Sequence, residues 1–377
     1  MQYIHLLIKP VSGACNMKCA YCFYMDEADN REKACYGKMS KQTVRQIVKR
    51  VFEEAEGECG FTFQGGEPTL AGLEYYDYFL QTVEKYNRSG LPVQYCLQTN
   101  GYNLTEEWFS FFEKNHFLIG VSLDGMQEIH DVNRRDVNGD GTFQKVMQTI
   151  QKLKEYRIPY NILTVVTDVL ADHASDVYRF YKENGIEHQQ YIECLDPLTE
   201  GLRLYDEEQE DLRPGLTSEG YERFLKSLFD EWYQDMKNGQ QVYNRYFYNL
   251  LWLIKGRWPE SCNMRGTCSL QWTVEADGSI YPCDFYVLDE WKLGNVREDS
   301  FGGIWKSETQ KRFLMLSAGV PKACKQCKWF GLCRNGCMRN CGISHTGLRN
   351  INRFCEAYKG FLEYSYPRLK ELAAGLQ

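Results

Sequence analysis

Three cysteines, Cys15, Cys19 and Cys22, stand at the spacing C-x3-C-x2-C directly after the apolar run Ile4 to Ile8. No other feature restricts the chain as much, because thiols this close in sequence must share one loop. A [4Fe–4S] cube normally takes four thiolates. A set of three leaves one iron free to hold something else. The nearest further thiol, Cys35, follows a charged stretch thirteen residues on. A structural zinc wants a closed set of four ligands, usually from C-x2-C pairs. The spacing therefore favours an open-iron cube over a zinc site or three unrelated buried cysteines.

The rest of the chain is compatible with a large, soluble, globular protein. Its 377 residues can bury a sizeable core and carry more than one domain. Net charge is −7, which argues against nucleic acid as a partner, since phosphate binding needs a basic face. No run approaches the roughly 20 apolar residues of a membrane span. The start, MQYIHLLIKP, lacks the charged region and cleavage site of a signal peptide. A cytoplasmic, monomeric protein is expected, without membrane contact. In a reducing compartment, sixteen cysteines read as metal ligands rather than disulfides.

Short apolar runs alternate with helical patterns over the first two hundred residues. Strands are expected at Ile4–Ile8, Phe61–Phe63, Val93–Leu97, Phe117–Val121, Ile162–Val166 and Gln189–Ile192. Ser40 is placed to cap a helix whose apolar residues, from Val44 to Ala55, recur at three and four. Further helices are expected over 73–86, 105–114, around Phe143 to Leu153, up to Asn184, and over 218–237 and 242–255. Such alternation gives a parallel sheet with right-handed crossovers. Six units are too few for a closed eight-fold barrel. The predicted fold is α/β, a partial (β/α)6 TIM-like barrel over 1–235, followed by bridging helices and a cysteine-rich domain over 236–377. Strand ends carry the chemistry in such barrels. Here they read Gln64-Gly65-Gly66-Glu67-Pro68, Gln98-Thr99-Asn100-Gly101, Ser122-Leu123-Asp124-Gly125 and Cys194-Leu195-Asp196-Pro197. Each alone is an ordinary turn composition; together they fall at one end of the sheet. Gly201 to Gly215 is expected to be a charged surface insertion.

Eight more cysteines follow at C-x5-C-x14-C-x40-C-x2-C-x5-C-x3-C-x17-C, from Cys262 to Cys355. They fill two four-ligand sites with none left over. By spacing alone, two zincs and two iron–sulfur clusters are equally well served.

Resemblance separates these readings. The opening motif resembles the radical S-adenosylmethionine (SAM) superfamily, in which the open iron chelates SAM and its reduction yields a 5′-deoxyadenosyl radical. Val274 to Cys283 resembles the hairpin of the SPASM domain, which carries two auxiliary [4Fe–4S] clusters. That resemblance implies one set of Cys262, Cys268, Cys283 and Cys337, and another of Cys324, Cys327, Cys333 and Cys355. Cys341 has no slot. Leu6-Leu7-Ile8-Lys9-Pro10, Cys22-Phe23-Tyr24, Phe63 to Gly72, Leu97 to Gly101, Asn133-Arg134, Cys194 to Pro197 and Tyr281 to Tyr286 together resemble the anaerobic sulfatase-maturating enzymes, nearly end to end. The match is weakest after Gly201 and at Tyr246-Phe247-Tyr248, where an acidic residue is expected after the Tyr-Phe pair. This leaves the preferred substrate sequence open.

The family resemblance implies three [4Fe–4S] clusters, SAM, an unfolded or nascent sulfatase as substrate, and an electron donor such as flavodoxin or ferredoxin. The reaction it implies oxidises a Cys or Ser of the target to Cα-formylglycine, a cysteine passing through a thioaldehyde. Asp284 is implied as the base that takes the proton; the plain alternative is a surface-turn aspartate. Tyr21, Gly66, Ser122, Arg134 and Leu195 are implied to contact SAM, and Gln64 to contact the substrate. Two other readings are a maturase that crosslinks ribosomal peptides and a non-enzymatic multi-cluster electron carrier. The first usually brings an extra N-terminal recognition domain, and only fourteen residues precede Cys15.

Overall fold

A computed structural model describes residues 1–198, 215–343 and 349–375. The charged insertion expected from Gly201 lies outside these residues, apart from Gly215. Six parallel strands form the heart of the sheet: β1 (Tyr3–Ile8), β2 (Glu58–Phe63), β3 (Val93–Thr99), β4 (Leu118–Ser122), β5 (Tyr160–Val166) and β6 (His188–Glu193). They neighbour one another in chain order, with a helical crossover between each pair, as the α/β reading expects.

The sheet does not stop at the barrel. Short strands β7 (Tyr243–Asn244), β8 (Thr273–Val274), β9 (Ser279–Tyr281) and β10 (Gly294–Asn295) extend it to the order β10-β9-β8-β1-β2-β3-β4-β5-β6-β7. β8 pairs parallel to β1, with Leu7 opposite Thr273 and Ile8 opposite Val274. The hairpin of the cysteine-rich region is therefore a continuation of the barrel sheet. This addition brings the segment after β9, with Cys283 and Asp284, to the end of β1.

Local chemistry explains the elements. Ser40 Oγ accepts from Thr43 N at 3.1 Å and starts helix Lys41–Glu54, which buries Val44, Ile47, Val48 and Val51 against the sheet. Aromatic side chains fill the layer between sheet and helices, with Phe63 edge-on to both Tyr76 and Phe79 at 5.0 Å. Two expectations need correcting. The helix expected up to Asn184 is two, Asp168–Ala171 and Ala174–Glu183, separated at Asp172 and His173. The helix expected from Val242 starts at Arg245, because Asn244 is extended in β7 and caps it, its Oδ1 accepting from Phe247 N at 3.1 Å. Residue 235 falls within helix Ser218–Lys237, which packs on helix Ala174–Glu183 and also on the last helix, Cys355–Gly375. Arg368 of that last helix reaches Asp230 at 2.7 Å.

Candidate active site

The three-cysteine loop leaves β1 and is braced on two sides. On one side Gly66 N donates to Ser12 O at 3.0 Å and Glu67 N to Ala14 O at 2.8 Å. A Cβ on Gly66 would lie 2.0 Å from Ala14 O, so only glycine permits this approach. The Glu67 carboxylate is fully buried and accepts from Thr69, from Thr99 Oγ1 at 3.0 Å and from Asn100 N at 2.8 Å, which ties the end of β2 to that of β3. On the other side Lys18 N donates to Arg135 O and Ala20 N to Asn133 O. Asn100 Nδ2 lies 3.7 Å from Cys15 Sγ. Burial pushes the Cys15 thiol up to about 11 and Cys19 up to about 12, and each thiol raises its neighbours. Three thiols held this way in the protein alone stay protonated and need a bound cation to become thiolates.

These cysteines line a cavity of about 870 Å³ together with Tyr21, Gln64, Gly66, Ser122, Arg134 and Leu195. Tyr21 comes from the loop itself, Gln64 and Gly66 from the end of β2, Ser122 from that of β4, Leu195 from beyond β6, and Arg134 from the end of helix Gln127–Asn133. Arg134 forks onto Asp124, Nε to Oδ2 at 2.9 Å and Nη2 to Oδ1 at 3.3 Å, and its guanidinium lies 5.4 Å from the Tyr21 ring centre. Tyr21 OH also donates to Asp124. Asp124 is thus the hub of this wall, a role its place in the Ser122-Leu123-Asp124-Gly125 turn did not show. Ser122 Oγ accepts from Gln98 Nε2 at 3.2 Å. Leu195 is held from the C-terminal region, where Arg353 donates to Cys194 O at 2.7 Å and pairs with Asp196 at 2.9 Å.

Asp284 is 5% exposed, so it is not a surface-turn residue. Its Oδ2 accepts from Tyr24 OH at 2.6 Å and from Gln64 Nε2 at 3.2 Å. Both donors line the cavity. Its Oδ1 is buried with no hydrogen-bond partner in the protein. Behind it lies a buried charge cluster absent from the sequence reading. Lys9 Nζ lies 3.3 Å from Glu275 Oε1 and 3.6 Å from Glu27 Oε2, and Arg31 donates to Glu275 at 2.8 Å. Burial pulls the Lys9 ammonium down, but Glu27, Glu275 and Asp284 outweigh it and hold it above its ordinary value. Burial pushes both Glu27 and Asp284 up, with Lys9 opposing in each case.

The later cysteines fall into two groups. Cys324, Cys327, Cys333 and Cys355 line one cavity of about 560 Å³, with Trp329 and Tyr358. Cys283 and Cys337 are pushed up first by burial and then by the charges of Cys268 and Cys262. Among the described residues, no three His, Cys, Asp or Glu side chains converge tightly enough to hold a single metal ion. Cys341 stands apart, buried, with Arg349 Nε donating to its sulfur at 3.2 Å. Tyr248, where the family pattern expects an acid, stacks on Tyr243 at 4.9 Å.

The fold and the thiol loop define a radical SAM enzyme with an added iron–sulfur domain. The model for the Radical SAM superfamily matches residues 10–181, and that for the iron-sulfur cluster-binding (SPASM) domain matches residues 262–328. The chain is 44% identical to the cysteine-type anaerobic sulfatase-maturating enzyme of Clostridium perfringens, over all of both chains. It is 31% identical to the serine-type enzyme of Bacteroides thetaiotaomicron, over 97% of this chain and 90% of that one. The solved structure of native anSMEcpe with bound AdoMet and Cp18Cys peptide superposes with a TM-score of 0.92 at 43% identity, covering 100% of each chain. The chain belongs to the anaerobic sulfatase-maturating enzymes, radical SAM oxidoreductases that convert a sulfatase side chain to Cα-formylglycine. Among the described residues, no helix is long and apolar enough to cross a membrane.

Proposed function

We propose that this chain oxidises a cysteine of an unfolded or nascent sulfatase, with Asp284 as the general base. The observation that carries this is Asp284 itself: one oxygen held by Tyr24 and Gln64, the other buried without a partner beside the cavity. A base needs a free lone pair within reach of the proton it takes. The closer identity to cysteine-type than to serine-type relatives supports the choice of target.

The residues suit the groups this reading requires. Three thiols on the cavity wall fit a cluster with one open iron, and four around the second cavity fit a closed one. Cys15, Cys19 and Cys22 hold the first cluster. Cys262, Cys268, Cys283 and Cys337 hold the second, and Cys324, Cys327, Cys333 and Cys355 the third. Tyr21, Gly66, Ser122, Arg134 and Leu195 form the wall that takes SAM, with Arg134 fixed in place by Asp124. When bound, SAM and the first cluster supply a deoxyadenosyl radical that removes one hydrogen atom from the target Cβ. Asp284 Oδ1 accepts the thiol proton, and the one electron that must also leave would pass to the clusters the later cysteines would hold, giving a thioaldehyde that water hydrolyses to the aldehyde and sulfide. Tyr24 and Gln64 hold the other oxygen and leave Oδ1 free, and Gln64, which lines the cavity, also contacts the peptide. Lys9 balances the charge on the carboxylate.

The exposed Lys322, Lys325 and Lys328, beside Cys324 and Cys327, suit an acidic one-electron carrier of the flavodoxin or ferredoxin type. All sixteen cysteines are free, which supports a reducing, cytoplasmic setting. The test is anaerobic incubation with SAM, a reductant and matched Cys and Ser peptides from a sulfatase. The expected result is formylglycine from the Cys peptide with one deoxyadenosine per product, and slower turnover of the Ser peptide. Deoxyadenosine without a change in either peptide would overturn the proposal.

A further inference from the structure

Between Cys333 of one thiol set and Cys337 of the other lie only three residues, Arg334, Asn335 and Gly336. All three have positive φ, 49°, 67° and 60°. Two of them are not glycine, so this left-handed turn is strained and needs outside support. Asn335 is 2% exposed. Carbonyl groups buried here must find donors.

Asn352 Nδ2 donates to Asn335 O at 3.2 Å, and one further side chain serves both carbonyls. Arg349 Nη2 donates to Asn335 O at 2.7 Å and to Gly336 O. Its Nη1 donates to Ser317 O at 3.1 Å and lies 3.5 Å from Gly266 O. Its Nε donates to Cys341 Sγ. Gly266 lies between Cys262 and Cys268, and Ser317 Oγ accepts from Cys268 N at 3.0 Å. The guanidinium is therefore bonded to the backbone of both sets at once. It is 3% exposed. Cys341 completes its coordination, which gives a use to a cysteine that has no place among the ligands.

We propose that Arg349 is a positioning residue that locks the two four-cysteine cages into one arrangement and supplies the fixed positive charge between them. The inference rests on the reading that both cages hold [4Fe–4S] clusters. Cluster potentials respond to nearby charge and hydrogen bonds. A buried cation favours the more negative, reduced state. Removing it from between the cages lowers both potentials together.

The test uses the full chain with Cys15, Cys19 and Cys22 changed to Ala, so that only the C-terminal clusters contribute signal. Iron in this parent is measured first; its absence would defeat the cluster reading and leave no question about Arg349. With iron present, R349Q and R349K are compared with the parent by redox titration followed by electron paramagnetic resonance. The expected result is a downward shift of both midpoint potentials in R349Q, with R349K in between because it keeps the charge and loses the fork. Unchanged potentials, or a shift in one cluster alone, would overturn the inference. If R349Q does not load iron, R349K decides: recovery of both clusters supports the role, and loss in both variants overturns it.

Discussion

Tyr24 donates a 2.6 Å hydrogen bond to Asp284, 260 residues away in sequence. The phenol belongs to the helix that follows the thiol loop, and the carboxylate to the segment after β9. One contact thus couples the thiol loop to the carboxylate proposed as the base.

Asp284→Asn keeps the shape and removes the proposed base. Cluster loading and SAM cleavage should persist, while formylglycine falls by about 100-fold or more, the usual range for loss of a general base. Tyr24→Phe removes a holding contact only and should cost less. Mass spectrometry of the peptide alongside deoxyadenosine decides; normal product from the Asn variant refutes the assignment.

Gly66→Ala should act on the first cluster alone. The added methyl meets the backbone of Gly13 and Ala14, which cannot rotate away. Iron should fall from about twelve per chain to about eight, at four per cube. Retention of all the iron with normal SAM cleavage would show that the loop has room to shift.

Arg134→Ala leaves the carboxylate of Asp124 buried and unpaired, at 1% exposure. Breaking such a pair from one side costs about 3–5 kcal/mol. A lower melting temperature and lost deoxyadenosine formation are expected, and the double change with Asp124→Asn should recover stability without activity. Unchanged SAM cleavage in the single variant would remove Arg134 from the site.

His130 sets a pH dependence of stability. Burial pulls its pKa from 6.5 down to about 4. The unfolded chain binds this proton at higher pH than the folded one does. The contribution is therefore complete above pH 6.5 and lost as pH falls toward 4, amounting to about 3 kcal/mol over that window. Between pH 7.5 and 5.5, denaturant midpoints of the native chain should fall more than those of His130→Gln. Parallel falls would show that His130 is not the cause.

The thiol loop and the strand ends were legible because each is local, whereas the grouping of the later cysteines came from family resemblance. An eight-residue run fixes where three thiols go, and apolar periods of two and of three to four fix strand and helix. The residues missed were those whose meaning lies in a distant partner. Lys9, Glu27 and Glu275 look like surface charges in the sequence, yet all three are fully buried. Asp124 sits in a turn where aspartate is ordinary, and only its bonds to Arg134 and Tyr21 mark it out. Arg349 stands among polar residues that give no sign of two cages meeting on it.

The sequence by itself determined that this chain can hold an open cluster, that a parallel sheet presents its strand ends to it, and that eight further thiols serve two more sites. Tertiary structure alone decided what surrounds the reacting centre. The parallel pairing of β8 with β1 places Asp284 beside Tyr24 and Gln64, and the charges gathered there come from distant parts of the chain, Lys9 with Glu275 and Asp284. Spacing governs which ligands can share a loop, whereas desolvation and charge pairing depend on what packs alongside, and only the assembled sheet settles that.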